Sequence, residues 1–442
     1  MQDAPSGAIM GMHGTQGVPP EPIVEADMIT WKRNLYVLWA AELLAIAGFS
    51  VAFPFLPYYI QELGITQPKE IKLWSGIIVA VHAVAMAIFS PIWGSLADRY
   101  GRKLMIERAT FGGAIVLAAM GLVQNVWQLA ALRALQGAIT GTVAAATTLV
   151  ASSTPRDRVG YALGLLQMAI WLGNSVGPLI GGVVADTWGY RVVFGVTGGL
   201  LFLAGLTVWR FVEEDFQPPG HNPKGTDEGF WHGLRLVLST SSLVTLFGVR
   251  ITARLGSSLI VPILPLFLQS LMPSGSRVAS FNGLISGVSS AASAITAVIL
   301  GRASDRIGYR TVLLACLAGM AVLYVPHAWA TAPWHLLVLQ GAVGLMMGGV
   351  LASLSASLAN LSPEGRQGAV YGVDASVVSV ANGLAPMIGA GVAIGWGLRT
   401  PFLVTALIFG LATGLVAARV PPYPKSETAP VSRRSAPKQS PH

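Results

Sequence analysis

Long, nearly continuous apolar runs separated by short polar breaks dominate the chain. A bilayer crossing needs about 20 mostly apolar residues. Twelve stretches meet that need: 34–60, 73–97, 104–124, 127–152, 160–185, 191–211, 241–268, 279–301, 310–328, 334–359, 367–394 and 400–418. They are too long and too unbroken for the short alternating strands of a membrane β-barrel. The pattern therefore predicts an all-α integral membrane protein with 12 transmembrane helices, numbered here as spans 1 to 12. Residues 1–33 carry Pro, Gly and acids but no signal-peptide-like apolar core, and read as a flexible cytoplasmic tail. Residues 419–442, rich in Pro, Ser, Lys and Arg, read as a second tail. The longest polar interruption, 212–240, reads as a central cytoplasmic loop that divides the spans six and six (34–211 and 241–418).

Composition agrees. The chain is 53% hydrophobic and 11% charged, against about 25% charged in soluble domains, and its mean hydropathy is +0.61. The single cysteine, Cys316, excludes an internal disulfide and a cysteine-built zinc site. The net charge of +8 raises the question of nucleic acid, and the placement of the charges answers it. With both termini inside, the inner segments hold 20 Lys and Arg and the outer segments five, with Arg133, Arg250 and Arg254 inside spans. Such a bias places both ends in the cytoplasm of a cell membrane. The positive charge is spread over short loops, so no nucleic-acid surface is expected.

The halves repeat at an offset of 207–208 residues. FPFLPYYIQEL (53–63) meets VPILPLFLQSL (261–271), and WSGI at 74 meets FNGL at 281. GSLADRYGRK (94–103) meets GRASDRIGYR (301–310), GNSVGPLIGG (173–182) meets ANGLAPMIGA (381–390), and WGYR (188–191) meets WGLR (396–399). A parallel repeat implies two pseudo-symmetric six-helix bundles about an axis along the membrane normal, with the working site between them near mid-membrane. Duplication that merely builds a stable bundle is the plainer alternative, and charges inside the spans argue against it.

These motifs resemble those of the major facilitator superfamily over nearly all of residues 34–418. GSLADRYGRK is similar to its signature between helices 2 and 3. LRALQG (132–137) resembles its helix 4 motif, with Arg133 the key position. GNSVGPLIGG resembles the helix 5 motif of drug:proton antiporters, and GFSVAFPFLP (48–57) the end of helix 1 in that group. The likeness is to bacterial multidrug-resistance efflux proteins of the 12-span group. It implies spans 1, 2, 4, 5, 7, 8, 10 and 11 around a cavity and 3, 6, 9 and 12 outside, and the chain is expected to act as a monomer.

Gate mechanics fall to two motifs. In the first, Gly94 and Gly101 allow tight packing, and Arg99 and Arg102 stay at headgroup level. Asp98 can accept from the positive N-terminal end of span 11 and latch the halves on the inner side, as the resemblance implies. Asp305 is its counterpart in a degraded copy of the motif. In the second, Gly173, Gly177, Gly181 and Gly182 permit close helix approach, and Pro178 kinks the helix. The family places that kink against span 8.

Charged groups deep in spans each cost at least about 2.5–3.5 kcal/mol even on lenient scales. Glu42, Arg133, Arg250, Arg254 and Asp374 are of this kind. Glu42 lies roughly 12 Å into the membrane at 1.5 Å per residue. Burial raises a carboxylate's pKa and a neighbouring cation lowers it, so an acid with a movable cationic partner suits proton coupling. Glu42, Arg133 and Asp374 are the candidates for that role. Adding 208 to Glu42 gives Arg250, so the expected exchange sets Glu42 against Arg250, Arg254 or Arg133, with Asp374 as the alternative partner. Each could instead be a fixed ion pair. Glu42, Arg250, Arg254, Trp171 and Phe49 are expected in the substrate cavity. His82 reads as packing or a proton relay, and the matched pairs Gln136/Gln340 and Asn174/Asn382 as interhelix hydrogen bonds.

No P-loop, zinc pattern or extramembrane Ser/His/Asp set appears, so no enzyme, cofactor or ATP drive is expected. The reading is proton-driven export of amphipathic small molecules. A flippase or metabolite exporter on the same fold, or a receptor that transports nothing, are the alternatives.

Overall fold

The computed structural model describes residues 23–155, 158–214, 216, 235, 237–361 and 367–419. Helix occupies all twelve expected stretches, and no strand occurs among the described residues. Span 1 runs from Ile23–Ala52 through a tight turn at Phe53–Phe55 into Leu56–Glu62. It extends well before Asn34, because no Pro or Gly interrupts IVEADMITWKRN. The remaining spans of the first half are Pro68–Tyr100, Arg102–Met120, Val126–Ile139 with Thr142–Ser153, Val159–Trp188 and Tyr190–Phe211. The second half comprises Ser241–Leu259 with Ile263–Leu271, Val278–Ile307, Tyr309–His327, Pro333–Leu361, Gln367–Trp396 and Thr400–Arg419.

The breaks in spans 1 and 7 fall at Pro54 and Pro262, at corresponding places of the repeat, where the missing N–H and fixed φ interrupt the helix. Eleven of the twelve helices are long and apolar enough to cross a membrane. The third, Arg102–Met120, carries Arg102, Lys103, Glu107 and Arg108 at its start, and crosses packed against spans 4 and 6. Gly101 turns span 2 into span 3 at φ +95°, and Gly308 turns span 8 into span 9 at φ +89°. Both conformations favour glycine.

Within the first half, span 1 packs on spans 5 and 6, and span 2 on span 4. Between the halves, two long seams carry the contact: span 5 on span 8, and span 2 on span 11. The repeat relates them. A Cβ on Gly283 would overlap the carbonyl of Pro178, and one on Gly76 would lie 3.1 Å from the carbonyl of Pro386. Gln61 and Gln269 are themselves related by the offset, and they bond each other reciprocally at 2.9 and 3.1 Å. Equivalent residues can touch only on the axis that relates them, so the pseudo-two-fold passes between these side chains.

With an even number of spans, both described ends share one face, called here the terminal face. Gln61 and Gln269 mark the opposite face. The expected tails 1–22 and 420–442 and most of the central loop lie outside the described residues.

Candidate functional site

A central cavity of about 440 Å³ lies between the halves. Spans 1, 4 and 5 contribute Phe49, Arg133 and Asn174, and spans 7, 8 and 10 contribute Ser257, a serine ladder and Gln340. That ladder (Ser286, Ser289, Ser290 and Ser293) lines one wall with small hydroxyls. Span 9 also reaches the wall, through Met320 and Tyr324, which departs from the expectation that span 9 stays outside. A second cavity of about 320 Å³, between span 2 and spans 7 and 11, shares His82, Phe53 and Ser257 with the first and adds Arg254 and Asn382.

Arg133 is 4% exposed. Its Nη1 donates to Gln136 at 2.6 Å, and its guanidinium carbon stands 5.6 Å from the Phe53 ring. Among the described residues its Nε and Nη2 have no hydrogen-bond partner. Arg254 donates through Nε to Asn382 at 2.7 Å, and Ser258 donates to the same oxygen. Ser50 donates to Asn174 at 2.8 Å. The asparagines thus make the interhelix bonds expected of them, whereas Gln136 bonds within its own helix and Gln340 lines the cavity.

The buried acids are apart. Asp374, on span 11, forms an ion pair with Arg250 on span 7. Glu42 is 2% exposed, and its described polar neighbour is Thr142 at 3.5 Å. No described cation lies within salt-bridge distance of Glu42. The expected Glu42–Arg250 pairing is therefore replaced by Arg250–Asp374, the alternative allowed above. Glu42, Arg250 and Trp171 are not among the residues lining the two cavities, whereas Phe49 and Arg254 are.

The halves are tied together near the opposite face. Tyr58 donates to the Pro265 carbonyl at 2.8 Å, and Asn282 to that of Pro54 at 3.0 Å. Deeper, at the level of the cavity, Ser175 donates to the Gly287 carbonyl at 3.0 Å.

Comparison with known proteins fits this architecture. The Major Facilitator Superfamily model matches residues 38–249 and 246–441, one match per half. This chain belongs to the major facilitator superfamily. Membership makes it a multi-pass membrane transporter of small molecules rather than an enzyme. It is similar to Multidrug resistance protein MdtG of Enterobacter lignolyticus (strain SCF1), 37% identical over 383 residues, covering 86% of this chain and 90% of the relative. MdtG of Dickeya zeae (strain Ech586) is 36% identical, covering 86% of this chain and 92% of the relative. A bacterial homolog of the human lysosomal transporter Spinster, solved inward-facing and unoccupied, shares the fold at TM-score 0.71 and 16% identity, over 88% of this chain and 96% of that one. The human organic anion transporter MFSD10 does so at TM-score 0.65 and 18% identity, over 87% and 99%.

The superfamily motifs sort by what they touch. Gly173, Gly177 and Gly181 face span 1: a Cβ would lie 2.8 Å from Ala47 N at Gly173 and 2.6 Å from Ala47 O at Gly177, and would overlap Val51 O at Gly181. Gly182 faces span 8, where a Cβ would lie 2.8 Å from Ser280 Cα. So the motif serves two interfaces, with Pro178 on the span 8 side as expected. In the loop after span 2, a Cβ at Gly101 would lie 3.0 Å from Glu214, while Gly94 has open space and Arg99 lies over Tyr100 at 5.4 Å. Glu214 accepts the Arg102 and Lys103 amides at 2.9 and 2.7 Å, a helix cap hidden in sequence inside the expected central loop. The side chains of Asp98 and Asp305 lie outside the described residues.

Proposed function

We propose that this protein exports amphipathic small molecules in exchange for protons by alternating access at the central cavity. The observation that carries the reading is Arg133. A buried guanidinium with two unpartnered nitrogens on a cavity wall is costly unless a ligand or a moving acid satisfies it. The rest of the wall mixes apolar side chains with neutral hydroxyls and amides, among them Asn174, Asn282 and Gln340, which suits amphipathic molecules, and Arg133 extends the range to those with an anionic group. Glu42, buried without a described counter-charge, is our proton carrier, and Arg250–Asp374 is a fixed pair. The relatives' name, multidrug resistance protein, supports the substrate class.

The Lys and Arg bias makes the terminal face cytoplasmic in a bacterial cell membrane, with the protein acting as a monomer in the bilayer. The closed seams then face outward. Asp98 would latch the inner side in the opposing state. Asp98→Asn should impair transport while leaving substrate binding in detergent largely intact.

The test is substrate-induced proton release or uptake by purified protein across a compound panel, repeated as proton flux in vesicles. Binding without any proton movement for every compound would overturn the exchange reading.

A further inference from the structure

The two seams of the opposite face are closed by different charges at equivalent places. Asp186 stands in the last turn of span 5. Its Oδ2 accepts the Ser280 amide at 2.6 Å and its Oδ1 the Ala279 amide at 3.3 Å. These amides open span 8, in the other half. Span 8 has no side-chain cap of its own and no acid in its first turn. Its exposed donors and positive end are thus met by a carboxylate from across the seam, the favourable sign for a helix N-terminus.

On the other seam, Lys72 of span 2 donates through Nζ to the Ala393 carbonyl at 2.9 Å. Ala393 lies in the last turn of span 11, which has no basic residue of its own there. A cation at a helix C-terminus is again the favourable sign. The offset of 207 that aligns WSGI with FNGL carries Lys72 onto Ala279, and the offset of 208 that aligns WGYR with WGLR carries Asp186 onto Ile394, the neighbour of Ala393. The pseudo-two-fold therefore superimposes the two contacts while exchanging acid for base and helix start for helix end.

We propose that Asp186 and Lys72 are a matched pair of latches that hold the opposite face shut, each placing one half's charge on the end of a helix in the other. Opening that face parts span 5 from span 8 and span 2 from span 11, so both contacts release in the same motion. The proposal rests on the rocking of the halves put forward above. Asp186 makes two charge-assisted bonds and Lys72 one, so the acid is the stronger latch.

The experiment measures distance across the opposite face in the full-length protein. Cys316 is the sole cysteine and is buried, so a Cys316→Ser background carries spin labels at Thr66→Cys and Ser274→Cys, both exposed and one in each half. Asp186→Asn is expected to raise the ratio of open to closed opposite face about tenfold, and Lys72→Gln by a few-fold. The double variant should exceed either, and Asp186→Glu should restore the wild-type ratio. If Asp186→Asn does not fold, Lys72→Gln on the other seam carries the test. A wild type that switches between acidic and alkaline buffer while the folded variants match its distances overturns the latch alone. A wild type with one unchanging distance overturns the rocking as well.

Discussion

Arg250 closes its charge on Asp374, two helices of the same half joined by one buried ion pair. Asp374 is 7% exposed and the Arg250 side chain 19%, so the carboxylate depends on this partner more than on water. Breaking such a pair by removing one partner costs about 3–5 kcal/mol, whereas replacing both by apolar side chains is often neutral. Asp374→Asn and Arg250→Gln should each lower the thermal midpoint in detergent sharply. Arg250→Leu with Asp374→Leu should recover most of it, and the recovered protein should still transport. Loss of transport in a stable double variant would instead put the pair in the proton path.

Glu42→Gln separates the carrier from the fixed pair. The carboxylate sits beside Thr142 without a described cation, so the neutral amide should be tolerated and the fold kept. Binding should persist, and exchange of substrate for protons should fall to background. Unchanged coupling with an unchanged pH dependence would exclude Glu42 and leave Asp374 as the next candidate.

The spans, the repeat and the close glycine contacts of helix 5 are legible because they depend on hydrophobic length, Pro and Gly, which act locally. The pairing of buried charges is not. Glu42 and Arg250 are equivalent in the repeat, and equivalence puts them at equal depth on opposite sides of the axis. Only residues on the axis meet their equivalents, as Gln61 and Gln269 do. In the sequence Lys72 is one of the five outer Lys and Arg, and Asp186 is an acid near a span end with no motif around it. Nothing in one sequence says that each meets the end of a helix in the other half. Glu214 was hidden in the same way, in a polar stretch that reads as loop.

Arg133 should discriminate substrates by charge. A guanidinium donating to an anion contributes about 1.5–3 kcal/mol, so Arg133→Gln should weaken binding of a carboxylate-bearing compound about tenfold or more. Its methyl ester should be little affected. Arg133→Lys should recover part of the loss, since an ammonium keeps the charge but not the planar fork. Equal weakening of acid and ester, measured by calorimetry on purified protein, would assign Arg133 to helix packing with Gln136.

Three glycines make a graded test of the seams. Gly181 lies against the Val51 carbonyl within one half, Gly283 against the Pro178 carbonyl across the halves, and Gly195 against nothing within 4 Å. A backbone carbonyl cannot rotate away as a side-chain tip can, so an added methyl must move a helix, at about 1–3 kcal/mol for overpacking. Gly181→Ala should therefore lower the thermal midpoint of the whole protein. Gly195→Ala should leave it unchanged or raise it, because alanine is the better helix former by roughly 0.5–1 kcal/mol. Gly283→Ala has an escape that Gly181→Ala lacks: the seam can open. It should cost less stability than Gly181→Ala while biasing the protein toward an open opposite face, read as faster labelling of a cysteine at Ser286 on the cavity wall by an impermeant reagent added from that side. If Gly283→Ala instead destabilises as much as Gly181→Ala with no change in labelling, the span 5–span 8 seam is static packing and the halves part elsewhere.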